Sequence, residues 1–154
     1  MIVNFCLAWL KTGRPVRQAF KNEAAFEWLM DYLKRIGKFS QCTVSGLPPS
    51  GKICRDGTRR WLCDRTGTET TSEDLARRLE STRDGGIREL QIFIGGADGW
   101  MRAEIQSLEP NFIWSFGPLT FAHELASVVA AEQVYRAWTI LQGLPYHSKH
   151  VAKQ

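Results

Sequence analysis

The chain has 154 residues, of which 44% are hydrophobic and 23% charged, and its formal net charge at pH 7 is +4. This composition is typical of a globular protein with one hydrophobic core, and it argues against a disordered chain. No stretch reaches the roughly 18 apolar residues that a membrane helix needs, so we expect no membrane span. We therefore predict a single domain over residues 1–154.

The charge is distributed unevenly along the chain. Residues 1–60 contain 11 Lys and Arg against 4 Asp and Glu, whereas residues 61–154 contain 9 against 12. The first part therefore carries +7 and the second part −3. A basic surface favours a polyanionic partner such as RNA. A solvated surface that only keeps the protein soluble explains the charge equally well.

The N-terminal half predicts two strands around one helix. Ile2–Leu10 has the composition of a buried strand, and it lacks the basic start and cleavage site of a signal peptide. Phe20–Ile36 has apolar residues at helical spacing, and Gly37 is placed to end that helix in the left-handed conformation. Ser40–Ser45 predicts a second strand. The basic, proline-containing loop Gly46–Arg60 follows, as an RNA-contacting segment or as a plain connection.

The C-terminal half predicts three strands, each followed by a helix. The predicted strands are Arg60–Arg65, Glu89–Ile94 and Phe112–Phe116. The predicted helices are one that Thr71 caps and that runs to about Arg83, one over about Met101–Leu108, and Glu124–Gln142. Gly67 is predicted to end the first of these strands.

Strands that alternate with helices predict an α/β fold with a mostly parallel sheet and helices on both of its faces. In such folds ligands bind beyond the carboxyl ends of the strands. Two loops lie there, Gly95–Gly99 and residues 117–123. Glycine lets backbone approach a ligand closely, although Gly95–Gly99 fits a simple tight turn equally well. Phe116, Leu119 and Phe121 could flank a flat ring such as adenine.

Several other site types are disfavoured by the sequence. Neither GxGxxG nor GxxxxGK[ST] occurs, which argues against a dinucleotide site and a P-loop. The four cysteines form no CxxC pair, and no histidine pair has zinc-ligand spacing, so we expect no metal. Three of them, Cys6, Cys42 and Cys63, fall in predicted strands, whereas Cys54 falls in the basic loop. Free thiols in strands are typical of a reducing compartment, and we predict a cytoplasmic protein.

The end of the chain offers a partner surface and an RNA contact. Glu124–Gln142 is apolar almost all round, which indicates burial on more than one side, and a C2 homodimer is the usual source of such burial. Pro145–His150 is aromatic and basic, as in segments that stack on a base and meet phosphate. A frayed terminus is the alternative reading of that segment.

Four motifs occur in order within about residues 88–147: IFIGGADG, WSFGPLTFAHELASVV, EQVYRAW and GLPYH. Together they resemble the rRNA large subunit methyltransferase H family, and the YLKR segment at Tyr32–Arg35 is compatible with it. Members are small SPOUT-class enzymes that use S-adenosylmethionine to methylate N3 of a pseudouridine in 23S rRNA. The resemblance implies a SPOUT-type fold with a deep C-terminal trefoil knot, and an obligate homodimer. It also implies 23S rRNA or the 70S ribosome as the partner.

The resemblance further assigns roles to individual residues. It implies no metal, because a sulfonium is already an activated methyl donor. His123 is a candidate base or positioning group, and Tyr146 and His147 would approach the target base in their own or the partner subunit's site. The implied cofactor site comprises Cys63, where the family usually has Leu, together with Gly95, Gly96, Phe116, Gly117, Pro118, Leu119, Thr120 and Phe121.

The chain departs from the family pattern in three places. Ala122 stands where the family usually has Pro, and Ser127 where it usually has Arg. The segment before the third strand is also short, without a helix that longer members carry. These departures keep two alternatives open: a SPOUT methyltransferase that acts on another RNA such as tRNA, and an RNA-binding homologue without catalysis.

Overall fold

The computed structural model describes residues 1–49 and 56–148, in which strands and helices alternate. The strands are β1 (Ile2–Leu7), β2 (Cys42–Ser45), β3 (Thr58–Glu69), β4 (Glu89–Ile94) and β5 (Phe112–Ser115). The helices are α1 (Glu23–Ile36), α2 (Ser72–Asp84), α3 (Arg102–Leu108) and α4 (His123–Leu141). A short 3₁₀ turn, Val16–Ala19, precedes α1 and was not predicted. No helix in the described ranges is long and apolar enough to cross a membrane.

The five strands form one sheet in the order β2-β1-β4-β3-β5, and every pairing among the described strands is parallel. The predicted α/β class is therefore confirmed. Phe5, Ile92, Trp61 and Phe112 lie side by side across four strands, and all four are buried. The carboxyl ends of the strands consequently meet at one edge of the sheet.

Helices cover both faces of the sheet, as predicted, but unequally. Residues of α1, α2 and α4 pack with one strand face in the large core cluster. The opposite face contributes Cys6, Leu62 and Phe93 to a small cluster that is covered by Leu108 of α3. The larger part of the core therefore lies under three helices on one side.

Helix α4 lies between α1 and α2, which changes the argument for a dimer. On the α1 side, Glu124 accepts a hydrogen bond from the backbone N–H of Asn22. On the α2 side, Ser72 donates to the amide oxygen of Gln133 across 2.7 Å. The apolar circumference of α4 is thus largely buried within one chain, so its composition alone does not require a second subunit. Leu125, which is 41% exposed, remains uncovered.

Helix α1 and strand β1 differ from their predicted forms. Helix α1 begins at Glu23 and not at Phe20, because the side chain of Asn22 caps it by accepting the N–H of Ala25. The left-handed conformation predicted for Gly37 is wrong, since its φ of −56° and ψ of −18° continue the right-handed helix. Strand β1 ends at Leu7 and not at Leu10.

The prediction that Gly67 ends the third strand is also wrong. Strand β3 continues to Glu69, and its register against β5 shifts between Cys63 and Thr68. A Cβ on Gly67 would stand 2.4 Å from the carbonyl oxygen of Ile113, so only glycine allows this close approach. Gly67 therefore marks an irregularity inside a strand, which is a common role of glycine in sheets.

The predicted cap at Thr71 is confirmed, since its hydroxyl accepts the N–H of Asp74 across 3.1 Å. Part of the predicted basic loop Gly46–Arg60, with Cys54, lies outside the described residues, as do Lys149 and His150. The described end of that loop, Thr58–Arg60, belongs to β3.

Candidate cofactor site

A cavity of about 360 Å³ opens at the carboxyl ends of β4 and β5, beside Cys63–Arg65 in the middle of β3. This volume lies in the range of about 300–1,000 Å³ that is usual for small-molecule sites. Both loops that were expected to face a ligand line it, together with the middle of β3 and the start of α4. Of the nine predicted cofactor residues, all except the exposed Pro118 contribute to the lining: Cys63, Gly95, Gly96, Phe116, Gly117, Leu119, Thr120 and Phe121.

The glycines of the cavity have two different roles. A Cβ on Gly95 would lie 3.1 Å from Nε1 of Trp100, which donates a hydrogen bond to the carbonyl of Cys63 across 3.0 Å. A side chain at Gly95 would therefore force Trp100 to shift by a few tenths of an ångström. At Gly96 and Gly117 no atom of the described residues, apart from the chain neighbours, lies within 4 Å of the Cβ position, and the φ of Gly117 is +104°. The backbone at these two positions is bare, which allows close approach of a ligand.

One wall of the cavity is aromatic. The ring of Phe116 packs edge to face with Trp114 at 4.8 Å between centroids and with Phe121 at 6.2 Å. Leu119 is 69% exposed at the same rim. A flat apolar ligand group that binds beside Leu119 would shield this side chain from water, which favours binding.

The cavity also has charged groups that sequence reasoning missed. Asp64, Arg65 and Asp98 line it, and Nη1 of Arg65 lies 3.5 Å from the hydroxyl of Thr120. Asp64 and Arg65 are the last two residues of a predicted strand, and Asp98 lies in the loop after the next one. This closeness to predicted strand ends was the signal that could have identified them. Carboxylates and a guanidinium in one cavity suit a ligand that has both a cationic and an anionic group.

His123 is the first residue of α4 and lines the same cavity. Its imidazole packs edge to face against the indole of Trp9, and its Nε2 lies 3.9 Å from Oε2 of Glu124. The other oxygen of Glu124 accepts the N–H of Asn22 across 2.9 Å. Trp9 and Glu124 therefore orient the His123 ring, and Glu124 is itself held by its hydrogen bond from Asn22.

Tyr146 and His147 do not line this cavity and form a separate cluster over α4. The hydroxyl of Tyr146 donates to Glu132 across 3.1 Å and lies 3.4 Å from the hydroxyl of Tyr32. Burial, with the hydrogen bonds to Tyr32 and Glu132, raises the pKa of Tyr146 above its ordinary value. Tyr146 therefore remains a neutral phenol that can donate a hydrogen bond, and it does not serve as a base near pH 7.

The same cluster fixes the tautomer of His147. Its Nδ1 lies 3.4 Å from a guanidinium nitrogen of Arg136, and its Nε2 lies 3.0 Å from Oε1 of Glu73. Because a guanidinium only donates, Nδ1 is the acceptor and Nε2 carries the proton that is donated to Glu73.

Within residues 1–49 and 56–148, no group of three or more His, Cys, Asp or Glu could hold a metal ion. Burial raises the pKa of Cys6 and of Cys42 to about 12, and it also raises the pKa of Cys63. These cysteines are therefore neutral thiols, and Cys63 contributes an apolar surface to the cavity.

Comparison with known proteins identifies the family. Residues 18–147 match the family model described as predicted SPOUT methyltransferase. The chain belongs to the SPOUT methyltransferase family. Three similar relatives carry the name ribosomal RNA large subunit methyltransferase H. The Maricaulis maris protein is 41% identical over 115 residues, the Koribacter versatilis protein 44% over 89, and the Rhizorhabdus wittichii protein 41% over 119.

These matches cover part of each SPOUT methyltransferase. The match with the Maricaulis maris protein covers 75% of this chain and 68% of the relative. The match with the Koribacter versatilis protein covers 58% of this chain and 60% of the relative. The match with the Rhizorhabdus wittichii protein covers 75% of this chain and 82% of the relative. With the Acidithiobacillus ferrooxidans relative, 43% identity extends over 55% of that protein. The chain thus spans little more than half the length of some relatives that it matches.

Two departures from the family pattern can now be located in this SPOUT methyltransferase. Ala122 has a φ of −56°, which is a value that proline also adopts, so the usual Pro is not needed for this backbone shape. Ser127 is fully buried, and its hydroxyl donates to the carbonyl of Glu124 across 2.6 Å. Position 127 consequently presents no cation to the cavity, and Arg65 is a cation that does line it.

Proposed function

We propose that this chain transfers a methyl group from S-adenosylmethionine to N3 of a pseudouridine in 23S ribosomal RNA. The observation that carries the proposal is one cavity lined by the GGADG and FGPLTF loops at the carboxyl ends of parallel strands. Family membership and the printed names of the relatives support it. The basic composition of residues 1–60 supports an RNA partner.

The lining of the cavity fits S-adenosylmethionine. The cofactor has a flat adenine ring and a charged amino-acid end, and when bound it supplies an electrophilic methyl group without a metal. Phe116, Leu119 and Phe121 offer apolar surface for the ring. The bare backbone at Gly96 and Gly117 offers hydrogen-bonding groups at close range. Acidic side chains and Arg65 offer partners for the charged end.

We assign to His123 the removal of the N3 proton from the target base. Methylation of N3 requires loss of the imide proton, and the nitrogen must come to about 3–3.5 Å of the methyl carbon. His123 lines the cavity, and Trp9 and Glu124 orient its ring. It can accept the proton directly or hold the base in position.

Tyr146 and His147 are assigned to the target base in the cavity of a second subunit. In their own chain they contact α1, α2 and α4 and do not line the cavity. A C2 homodimer would let them serve the partner subunit's site. Trp28 on α1 is 55% exposed and Leu125 on the adjacent α4 is 41% exposed, and both support an interface on this side of the molecule.

Two further properties complete the proposal. The deep trefoil knot is proposed on the resemblance of the C-terminal motifs to the methyltransferase H family.

A cytoplasmic location is supported by the unpaired thiols of Cys6, Cys42 and Cys63.

The decisive experiment compares ribosomal RNA from a strain with and without the gene by mass spectrometry. We expect N3-methylpseudouridine to disappear from 23S rRNA and to return on complementation, and an unchanged level overturns the proposal. Purified protein is then given 23S rRNA, 70S ribosomes or tRNA with labelled cofactor. Methylation of tRNA alone supports the other-RNA alternative. A folded protein that binds RNA but shows no calorimetric binding of S-adenosylmethionine supports the non-catalytic alternative.

A further inference from the structure

The segment between β1 and α1 is strongly basic. Residues 11–21 contain four cations and no acidic residue. The four are Lys11, Arg14, Arg17 and Lys21, and all are exposed. Arg17 pairs with Glu23. Lys11, Arg14 and Lys21 form no ion pair with the part of the chain that the structure describes. Their charge is therefore available to an external anion.

The segment lies at the edge of the sheet where the cavity opens. It follows the carboxyl end of β1, which is parallel to β4 and therefore ends at the same edge as β3, β4 and β5. At its other end, the N–H of Asn22 is bonded to Glu124, the neighbour of His123. An anion on this segment would consequently lie beside the candidate site.

Aromatic contacts hold the segment in place. The indole of Trp9 lies between Phe20, at 5.9 Å between ring centroids, and His123, at 4.6 Å. Phe20 in turn packs on Phe26 at 5.7 Å. Leu10 is buried, so the start of the segment is anchored in the core. The cations are therefore displayed on a fixed support, which lowers the entropy lost on binding.

We propose that Lys11–Lys21 is a docking surface for the phosphate backbone of the substrate RNA. This inference rests on the proposed function, because it supplies the approach of an RNA to the same cavity. Exposed cations such as Lys11, Arg14 and Lys21, which form no ion pair within the described residues, are the groups that phosphate contacts need. Such contacts fix the register of a nucleic acid without reading its bases. Residues 11–21 belong to neither of the two segments, Gly46–Arg60 and Pro145–His150, in which the sequence predicted RNA contacts.

A charge-matched pair of double variants tests the surface. Lys11→Ala/Lys21→Ala removes two lysines from the segment. Lys34→Ala/Lys38→Ala removes two exposed lysines around the far end of α1, about 20 Å away for a helix of 14 residues. Filter binding of a labelled 23S rRNA transcript is measured without cofactor, over about 50 to 200 mM KCl.

We expect the segment variant to lower RNA affinity about tenfold near physiological salt and to reduce the slope of log K against log salt by about 1.5. The control variant is expected to retain the slope and affinity of the wild-type chain. Equal binding by the segment variant and the wild type, with unchanged circular dichroism, overturns the proposal. Equal losses in both variants also overturn it, because net charge would then explain binding. So does a wild-type chain that binds vesicles of phosphatidylcholine and phosphatidylglycerol but not RNA.

Methyl transfer by the wild-type chain is measured in parallel to separate this inference from the proposed reaction. If the wild type methylates 23S rRNA while the segment variant binds it normally, only the docking surface is wrong. If the wild type methylates no RNA but the segment variant still loses affinity, the docking surface stands and the proposed reaction is wrong.

Discussion

The indole of Trp9 packs edge to face against the imidazole of His123, with ring centroids 4.6 Å apart and an interplanar angle of 82°. Trp9 follows the first strand, whereas His123 begins the last helix. The side chain that we assign to the proton of the target base is therefore oriented by a residue from the opposite end of the chain. Trp9 does not itself line the cavity, so its contribution is to position His123.

Removal of the Trp9 ring is expected to lower turnover more than cofactor binding. For Trp9→Ala we expect kcat to fall about tenfold, because small displacements of a positioned group are costly, and the KM for S-adenosylmethionine to stay within about twofold. Trp9→Phe retains an aromatic ring and should recover most of kcat. Urea unfolding of both variants separates positioning from loss of stability. A Trp9→Ala enzyme with wild-type kcat contradicts the prediction.

Substitution of His123 distinguishes a base from a structural residue. Loss of a general base typically costs about 10²–10⁴-fold in rate, and we expect a loss in that range for His123→Ala in single-turnover methyl transfer. Calorimetric affinity for S-adenosylmethionine should change by no more than about threefold, since other residues line most of the cavity. A rate loss below about tenfold would mean that the imidazole acts structurally.

The two adjacent glycines after β4 should respond differently to alanine. In Gly95→Ala the new methyl group would press on Trp100 and disturb its bond to Cys63, so we expect a loss of about 1–3 kcal/mol in the free energy of unfolding. In Gly96→Ala the methyl group meets no protein atom, so stability should be retained while affinity for S-adenosylmethionine falls. Urea melts and calorimetry of both variants make the comparison. If both variants change equally in unfolding free energy and in affinity for S-adenosylmethionine, the two glycines do not have different roles.

The proposed dimer can be tested on its exposed apolar residues. We expect Trp28→Glu/Leu125→Glu to convert a dimer into a monomer in sedimentation at micromolar concentration, because each carboxylate would be buried without a partner. Met101→Glu is the control, since Met101 is 66% exposed and precedes α3, which covers the other face of the sheet. A wild-type chain that sediments as a monomer contradicts the dimer itself.

The raised pKa of Tyr146 predicts that the folded chain loses stability at alkaline pH. Its pKa is raised in the folded chain, so folding favours the neutral phenol. The associated stabilisation is complete below the ordinary tyrosine pKa of about 10 and is lost as the pH rises above that value. Tyr146→Phe should therefore show a shallower decline in unfolding free energy above about pH 10 than the wild type. Identical pH profiles for the two proteins would show that Tyr146 makes no such contribution.

Local signals in the sequence located most elements of the fold. The bounds of Glu89–Ile94 were predicted without error, and Thr71 caps its helix as predicted. Both depend on neighbours within a few residues: a short apolar run that forms a buried strand, and a hydroxyl that meets a free amide of the first helical turn. The loops that line the cavity were predictable for a similar reason, because parallel strands place their following loops at one edge.

The predictions that failed depended on contacts between distant segments. Gly67 is a turn signal by itself, and only the carbonyl of Ile113 from a neighbouring strand explains a glycine inside β3. The homodimer remains a prediction, although α1 and α2 of the same chain cover most of the apolar circumference of α4 that suggested it. Sequence periodicity measures how much apolar surface a helix must bury, but it does not identify the partner that buries it.

For this SPOUT methyltransferase, the sequence by itself determined the order of strands and helices and which loops follow the strand ends. Tertiary structure alone decided that Trp9 meets His123, and that Tyr146 and His147 lie away from the cavity of their own chain. It also decided that a basic segment follows β1 at the edge of the sheet where the cavity opens. The physical reason is that helix and strand propensities act over a few residues. Contacts between remote residues depend instead on the strand order β2-β1-β4-β3-β5 and on helix packing.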